Sequence, residues 1–166
     1  MFLAFQVATV FLAGTAMTMA LAHALEFPGK MRLDEQTYMA VQRIYYPGFT
    51  VGGIAEPLAV VATLVLTLLM RDHGVAFWCA LSAFVALLAM HAIFWLITQP
   101  VNRHCLKNQR LGAAGTRFFG LDRPNLPADT FDSNWQRFRD RWEYSHIARA
   151  VLSAIALIAL AVAIAI

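Results

Sequence analysis

The sequence predicts an all-α, polytopic membrane protein: an antiparallel bundle of four transmembrane helices with short interfacial helices on its cytoplasmic side. Three observations predict it. Of the 166 residues 60% are hydrophobic and 14% charged, whereas charge makes up about a quarter of an ordinary soluble domain. The apolar residues are gathered into four blocks: 1–25 has no ionisable side chain except His23, 57–70 none, 75–98 only His91, and 150–166 none. Crossing the hydrocarbon takes roughly 20 residues, a length three blocks reach outright and the second reaches if it starts near Val51. The expected spans are about 3–25, 51–70, 75–98 and 146–166 of a single membrane domain, 1–166, with polar loops over 26–50 and 99–145.

Four spans place both termini on one side, together with the short turn Arg71-Asp72-His73-Gly74. Of the 13 Lys and Arg residues only Arg71 falls on that side, and the other 12 lie on the opposite one or at its edge. The positive-inside rule makes the charge-rich side cytoplasmic. The expected location is the cytoplasmic membrane of a bacterium, both termini outside and the long loops inside. The net charge of +3 follows from this orientation. No basic face interleaved with base-stacking aromatics accompanies it, so no nucleic-acid partner is expected.

The first block differs from a secretory signal in lacking a basic n-region and in its longer apolar run, although Ala22-His23-Ala24 resembles a cleavage site. It is read as a span. Ala16, Ala20 and Ala24, with Gly14 and Thr18 beside them, form a small-residue ridge suited to close helix packing. Pro28-Gly29 is expected to break this helix, leaving Lys30 and Arg32 as interfacial charges. Asp34 reads as an N-cap, and Tyr38, Val41 and Tyr45 follow at i, i+3, i+7 spacing in a short amphipathic helix ending at Pro47-Gly48. Pro57 suits the first turn of the second span. The turn at 71–74 is short enough to make spans two and three antiparallel neighbours.

The third span is expected to stop at Gln99-Pro100. The segment 102–134 reads as a long loop, and loops of that length usually carry function or motion. Gly112-Ala113-Ala114-Gly115-Thr116 lacks the context and lysine of a phosphate loop and is read as plain loop; His73 and His104 are read as solvated loop histidines. Trp135, Phe138 and Trp142 share one helical face and are expected to sit at headgroup level as the last helix meets the membrane. That helix is alanine-rich and should pack on the first. Cys79 and Cys105 are separated by about 18 helical residues, about 27 Å, too far for a disulfide.

The ionisable groups near the spans gather at the cytoplasmic mouth. His23-x-x-Glu26 on span one and Glu143-x-x-His146 on span four run in opposite directions and are matched in depth, with Glu56 and His91 joining them from spans two and three. Membrane-embedded ionisable groups default to a functional reading. Glu-x-x-His on facing helices can bind metal, and a metal, if present, would use His23, Glu26, Glu143 and His146. Three Glu and three His are fewer carboxylates than a di-iron site needs, so a mononuclear site is as plausible. Without a metal, His146 or His91 would be a general base tuned by Glu143 or Glu26, with Arg149 steadying a developing oxyanion. Phe27, Tyr38, Tyr45, Trp95 and Trp142 would line a slot for a flat, lipophilic substrate.

His23-Ala-Leu-Glu26-Phe-Pro-Gly-Lys30, Val41-Gln42-Arg43-Ile-Tyr45, Gln99-Pro100-Val101-Asn102 and Trp135…Arg141-Trp142-Glu143…His146…Arg149 resemble the small integral-membrane family that includes fungal anthrone oxygenases. The resemblance covers most of the chain in order and hydropathy; the chain departs from it at Gln99, where the family often has Asn. It implies four transmembrane helices and oxidation of a polyketide-like anthrone with O2 without a conventional cofactor. On this basis His146, His23 and His91 are expected to move protons, with Glu143 beside them, and Arg149 and Asn102 to anchor polar groups. Glu26, Trp95, Trp142 and Tyr45 are expected to contact a lipophilic substrate. The cofactor stays open between none and a bound transition metal. Two other readings stand beside this one: a non-enzymatic membrane subunit or scaffold, alone or as a homo-oligomer or complex partner in the bilayer, and a small metal- or haem-binding protein. Four spans without broken helices or repeat halves argue against an alternating-access transporter.

Overall fold

The computed structural model describes residues 1–106, 112–121 and 135–166, and among them there are helices and turns but no strand. The elements are α1 (Phe2–Lys30), α2 (Glu35–Gln42), a 3-10 turn at Arg43–Tyr45, α3 (Gly48–Gly52), α4 (Ala55–Leu69), α5 (Val75–Ile93), α6 (Gln99–Leu106), α7 (Ala113–Phe119) and α8 (Trp135–Ala165). A π turn, Phe94–Thr98, joins α5 to α6 without a break. Four stretches are long and apolar enough to cross a membrane: Phe2–Lys30, Gly48–Leu69, Val75–Leu106 and Trp135–Ala165, of 29, 22, 32 and 31 residues.

These four form a ring in which α8 packs on α1 and α5, and α4 closes the circle against the same two. Neighbours run antiparallel. His23 and Lys30 of α1 meet His146 and Glu143 of α8, while Phe94 and Thr98 meet Arg149 and Ser145. α4 and α5 are joined by a tight turn whose Gly74 has φ +54°, a conformation that a Cβ disfavours.

One half of the bundle, measured along its length, is a seam of alanines. Ala13, Ala16 and Ala20 of α1, Ala59 of α4, Ala76, Ala80 and Ala83 of α5, and Ala156 and Ala163 of α8 are all buried together. Residues this small let helix backbones approach closely. The large apolar side chains point outward instead: Leu3, Phe11, Leu68, Val85 and Ile158 are exposed. The other half carries a second core of Tyr45, Val101, Phe138 and Trp142, with Val41, Phe49 and Cys105 packed against it.

The helices run further than the breakers in the sequence suggest. α1 continues through Pro28 to Lys30. A proline there forfeits only the hydrogen bond to the Ala24 carbonyl, and the helix runs on past it. Pro100 likewise does not stop the third helix. The carbonyl of Leu96, which Pro100 cannot serve, accepts from Arg141 Nη2 at 3.3 Å, and the Gln99 N–H bonds Phe94 five residues back. The expected loop 99–145 therefore contains α6, α7 and the first turns of α8. The Gly112–Thr116 stretch read as loop runs into α7, and His104 is on α6 with its ring stacked on Phe138 at 4.1 Å. Asp34 does cap α2, accepting from the Thr37 N–H at 2.8 Å.

Candidate functional site

Where the aromatic core meets the alanine seam, the ring of helices encloses a cavity of about 180 Å³. The large side chains hold the helices apart where the alanines no longer draw them together. Its walls are aromatic, with Tyr45, Phe49, Phe94, Trp95, Phe118 and Trp142 among them, and its polar lining includes His23, Glu56, His91, Asn102, His146 and Arg149. The His23 and His146 rings stand 4.2 Å apart, each against the Trp142 indole at 4.9 and 4.1 Å. Trp142 Nε1 donates to Asn102 Oδ1 at 2.7 Å, and this bond fixes the indole as a wall.

A chain of hydrogen bonds runs behind the histidines through three helices. Trp95 Nε1 donates to His91 Nε2 at 3.0 Å. An indole only donates, so His91 carries its hydrogen on Nδ1 and donates to Glu56 Oε1, also at 3.0 Å. The other oxygen of Glu56 accepts from Arg149 Nη2 at 2.5 Å, and Arg149 Nη1 lies 3.2 Å from His146 Nδ1. Guanidinium has no acceptor, so His146 Nδ1 accepts and its hydrogen sits on Nε2. That Nε2 is buried without a hydrogen-bond partner, as are His23 Nδ1, Arg149 Nε and Gln42 Nε2.

Above the cavity lies a second cluster. Lys30, 4% exposed, has its ammonium 2.7 Å from Glu26 Oε2 and 3.7 Å from Glu143 Oε1, over the faces of Tyr45 and Trp142. Tyr45 donates to Glu26 at 2.6 Å and Tyr38 to Glu143 at 3.0 Å. Burial first, then the adjoining Glu26 carboxylate, pushes the Tyr45 hydroxyl up; burial and Glu143 do the same for Tyr38. Both phenols therefore remain donors to the carboxylates they hold.

Of the residues singled out in the sequence, His23, His91, His146, Arg149, Asn102, Trp95, Trp142 and Tyr45 line the cavity. Glu26 and Glu143 do not; they belong to the Lys30 cluster. Phe27 packs on Tyr144 and Tyr38 lies near Trp135, both outside the cavity. Trp142 and Phe138, expected at headgroup level, are buried, because α2, the 3-10 turn and α6 cover that face of α8. His23, Glu26, Glu143 and His146, the set named for a metal, are close in space, but the Lys30 cation already occupies the position between the two carboxylates. Among the described residues no group of three or more His, Cys, Asp or Glu is arranged to hold a metal ion.

Two partners were missed in the sequence. Lys30 stands at i+7 from His23 and i+4 from Glu26, the spacing of one helical face, but the Pro28-Gly29 breaker hid it. Glu56 was grouped with the mouth residues without being given its role as the counter-ion of Arg149.

No family model, no curated protein and no solved structure matches this chain.

Proposed function

We propose that this chain is an integral membrane protein of four spans and an anthrone-oxygenase-like monooxygenase. Its pocket opens at the cytoplasmic mouth, and its substrate is a lipophilic aromatic compound oxidised with O2 through histidine-mediated proton abstraction. The membrane reading is supported by the four long apolar helices with small residues inside and large apolar side chains outside. The orientation is supported by the basic residues: among the described ones all but Arg71 lie at the pocket end. Ala16 and Ala20 of the small-residue ridge that would favour an assembly subunit are buried within this chain.

The observation that carries the enzymatic reading is the His23–His146 pair at the base of an aromatic cavity, with His146 Nε2 unpartnered and His23 Nδ1 3.6 Å from Glu26 Oε2. His146, its tautomer set by Arg149, offers Nε2–H to a carbonyl oxygen as enolate charge develops. His23 takes the acidic C–H proton. The carbanion adds O2 to give a hydroperoxide. Loss of the remaining C–H proton with cleavage of the O–O bond leaves a carbonyl and releases water. Each methylene group oxidised thus consumes one molecule of O2, keeps one of its oxygen atoms as the new carbonyl and gives up the other as water with both methylene hydrogens. His91, with both nitrogens engaged, positions Glu56 instead of moving the substrate proton.

Oxygen uptake by the purified chain in lipid nanodiscs, over a panel of acidic aromatic ketones from phenylacetone to anthrone, tests this. One O2 should disappear per ketone oxidised, with a loss of about 10²-fold or more in His23→Ala. Uptake that is absent across the panel, or undiminished in His23→Ala, refutes the reading.

A further inference from the structure

The unpartnered atoms of the cavity define what fits it. His146 Nε2 bears a hydrogen because Nδ1 accepts from Arg149, and Arg149 Nε bears one by its chemistry; both are buried and unpaired. A buried donor without an acceptor costs about 1–3 kcal/mol, so the ligand that completes this cavity brings an acceptor oxygen. It brings no net charge, because Arg149 is already neutralised by Glu56 at 2.5 Å. Its body is flat and apolar, since rings from Phe49, Phe94, Phe118 and Trp142 form the walls. An apolar cavity of about 150 Å³ accommodates benzene, so about 180 Å³ takes one ring with a small substituent, and a three-ring skeleton exceeds it.

The most exposed of the lining residues are apolar. Ile54, Trp95 and Phe118 are 58%, 47% and 40% exposed, and Pro57 is exposed beside Ile54. They lie at the start of α4, on the π turn and on α7, where the lining meets the surface. A ligand passing them comes from an apolar phase.

Resting on the reading of this cavity as the substrate site, we propose that its ligand is an uncharged single-ring aromatic carbonyl compound, held through its oxygen by His146 Nε2–H. Trp95 and Trp142 line the cavity and report binding. The test is a tryptophan-fluorescence titration of the full chain in nanodiscs under nitrogen, with empty nanodiscs correcting for partitioning. The probes are acetophenone, ethylbenzene and anthrone. Acetophenone should saturate, ethylbenzene should bind about tenfold more weakly, and anthrone should not saturate. His146→Phe should bring acetophenone down to the level of ethylbenzene, and a circular-dichroism spectrum matching the wild type shows that the variant is folded. Equal binding of acetophenone and ethylbenzene, or saturation by anthrone at equal or lower concentration, overturns the proposal. Oxidation of anthrone would overturn this ligand class and leave the oxygenase reading standing. The expected binding order without any oxygen uptake would do the reverse.

Discussion

Glu56→Ala leaves the Arg149 guanidinium buried at 5% exposure without the carboxylate it holds at 2.5 Å. At an effective dielectric near 20, two unit charges at that separation attract by about 6–7 kcal/mol. Water reaching the vacated space recovers part of this, and breaking a buried pair on one side typically costs about 3–5 kcal/mol. Glu56→Gln is not a benign substitute. Both neighbours, His91 Nδ1–H and Arg149 Nη2, are donors, so the amide nitrogen must face one of them. Its expected cost is about 2–3 kcal/mol, the upper part of the range for a buried donor left unsatisfied. Arg149→Met alone leaves Glu56 buried with His91 as partner. The double variant Glu56→Gln/Arg149→Met removes both charges and should fall short of the summed single costs by at least about 2 kcal/mol. Reversible unfolding in mixed micelles of dodecylmaltoside and dodecyl sulfate, followed by circular dichroism, gives the cost of each variant. Single-variant costs below about 1 kcal/mol, or additive ones, would show that these charges reach water and that the network behind His146 is not buried in solution.

Lys30→Met strips Glu143, 0% exposed, of its nearest cation while Glu26 can turn to solvent; a loss of about 3 kcal/mol is expected in the same unfolding assay, and a loss under about 1 kcal/mol would count against the cluster. A Cβ on Gly115 would stand 2.5 Å from the Tyr46 hydroxyl, so Gly115→Ala should displace Tyr46 from the cavity wall at a cost of about 1–3 kcal/mol. Gly52→Ala meets only the flexible Met19 side chain at 2.9 Å and should stay within about 1 kcal/mol of wild type; equal effects at the two glycines would refute the contrast. The Thr37 N–H bound to Asp34 holds its carboxyl below the usual aspartate value of 3.8. A depressed acid stabilises the fold above its unfolded value and loses that contribution as pH falls through the folded one. Amide protection of α2 should therefore be full above the ordinary aspartate range, fall as the pH drops through and below it in the wild type, and lose that dependence in Asp34→Ser, which keeps a cap that does not titrate; identical profiles would refute the cap's role.

The four long apolar helices and the helix-cap chemistry of Asp34 were legible in the sequence because each rests on local pattern: an uninterrupted apolar run, or a side chain bonding three residues ahead. The matched depth of His23 and His146 was legible too, since it needs only helix direction and counting. Lys30 was not, because proline and glycine are read as breakers by rule, while their real cost depends on how many carbonyls they orphan near a helix end. The burial of Trp142 was not legible either. Its face of α8 has the amphipathic spacing of a surface helix, and only the return of α2, the 3-10 turn and α6 over it turns that face inward. Periodicity says that a face is apolar, not what covers it.

That return also explains why the site lies at one end of the bundle. Through the alanine seam the small inward side chains let the backbones lie close. At the level of His23 the inward residues change from alanine to histidine, tryptophan, arginine and glutamate, and rings and guanidinium must be accommodated between the same four helices. The helices are held at that wider spacing by paired groups: Glu56 with Arg149 between α4 and α8, Lys30 with Glu143 between α1 and α8, and Thr98 with Ser145 between the π turn and α8. Ser145 also donates to the Trp142 carbonyl at 2.7 Å, so Thr98 supplies the hydrogen of their 2.9 Å contact and ties the π turn to α8. Each tie engages α8, and α8 carries His146. A substitution that loosens one of these pairs therefore acts on the position of His146 before it acts on the seam. Variants in the ties should lose ligand binding at a temperature where their helical content is still intact, and variants in the seam should lose both together.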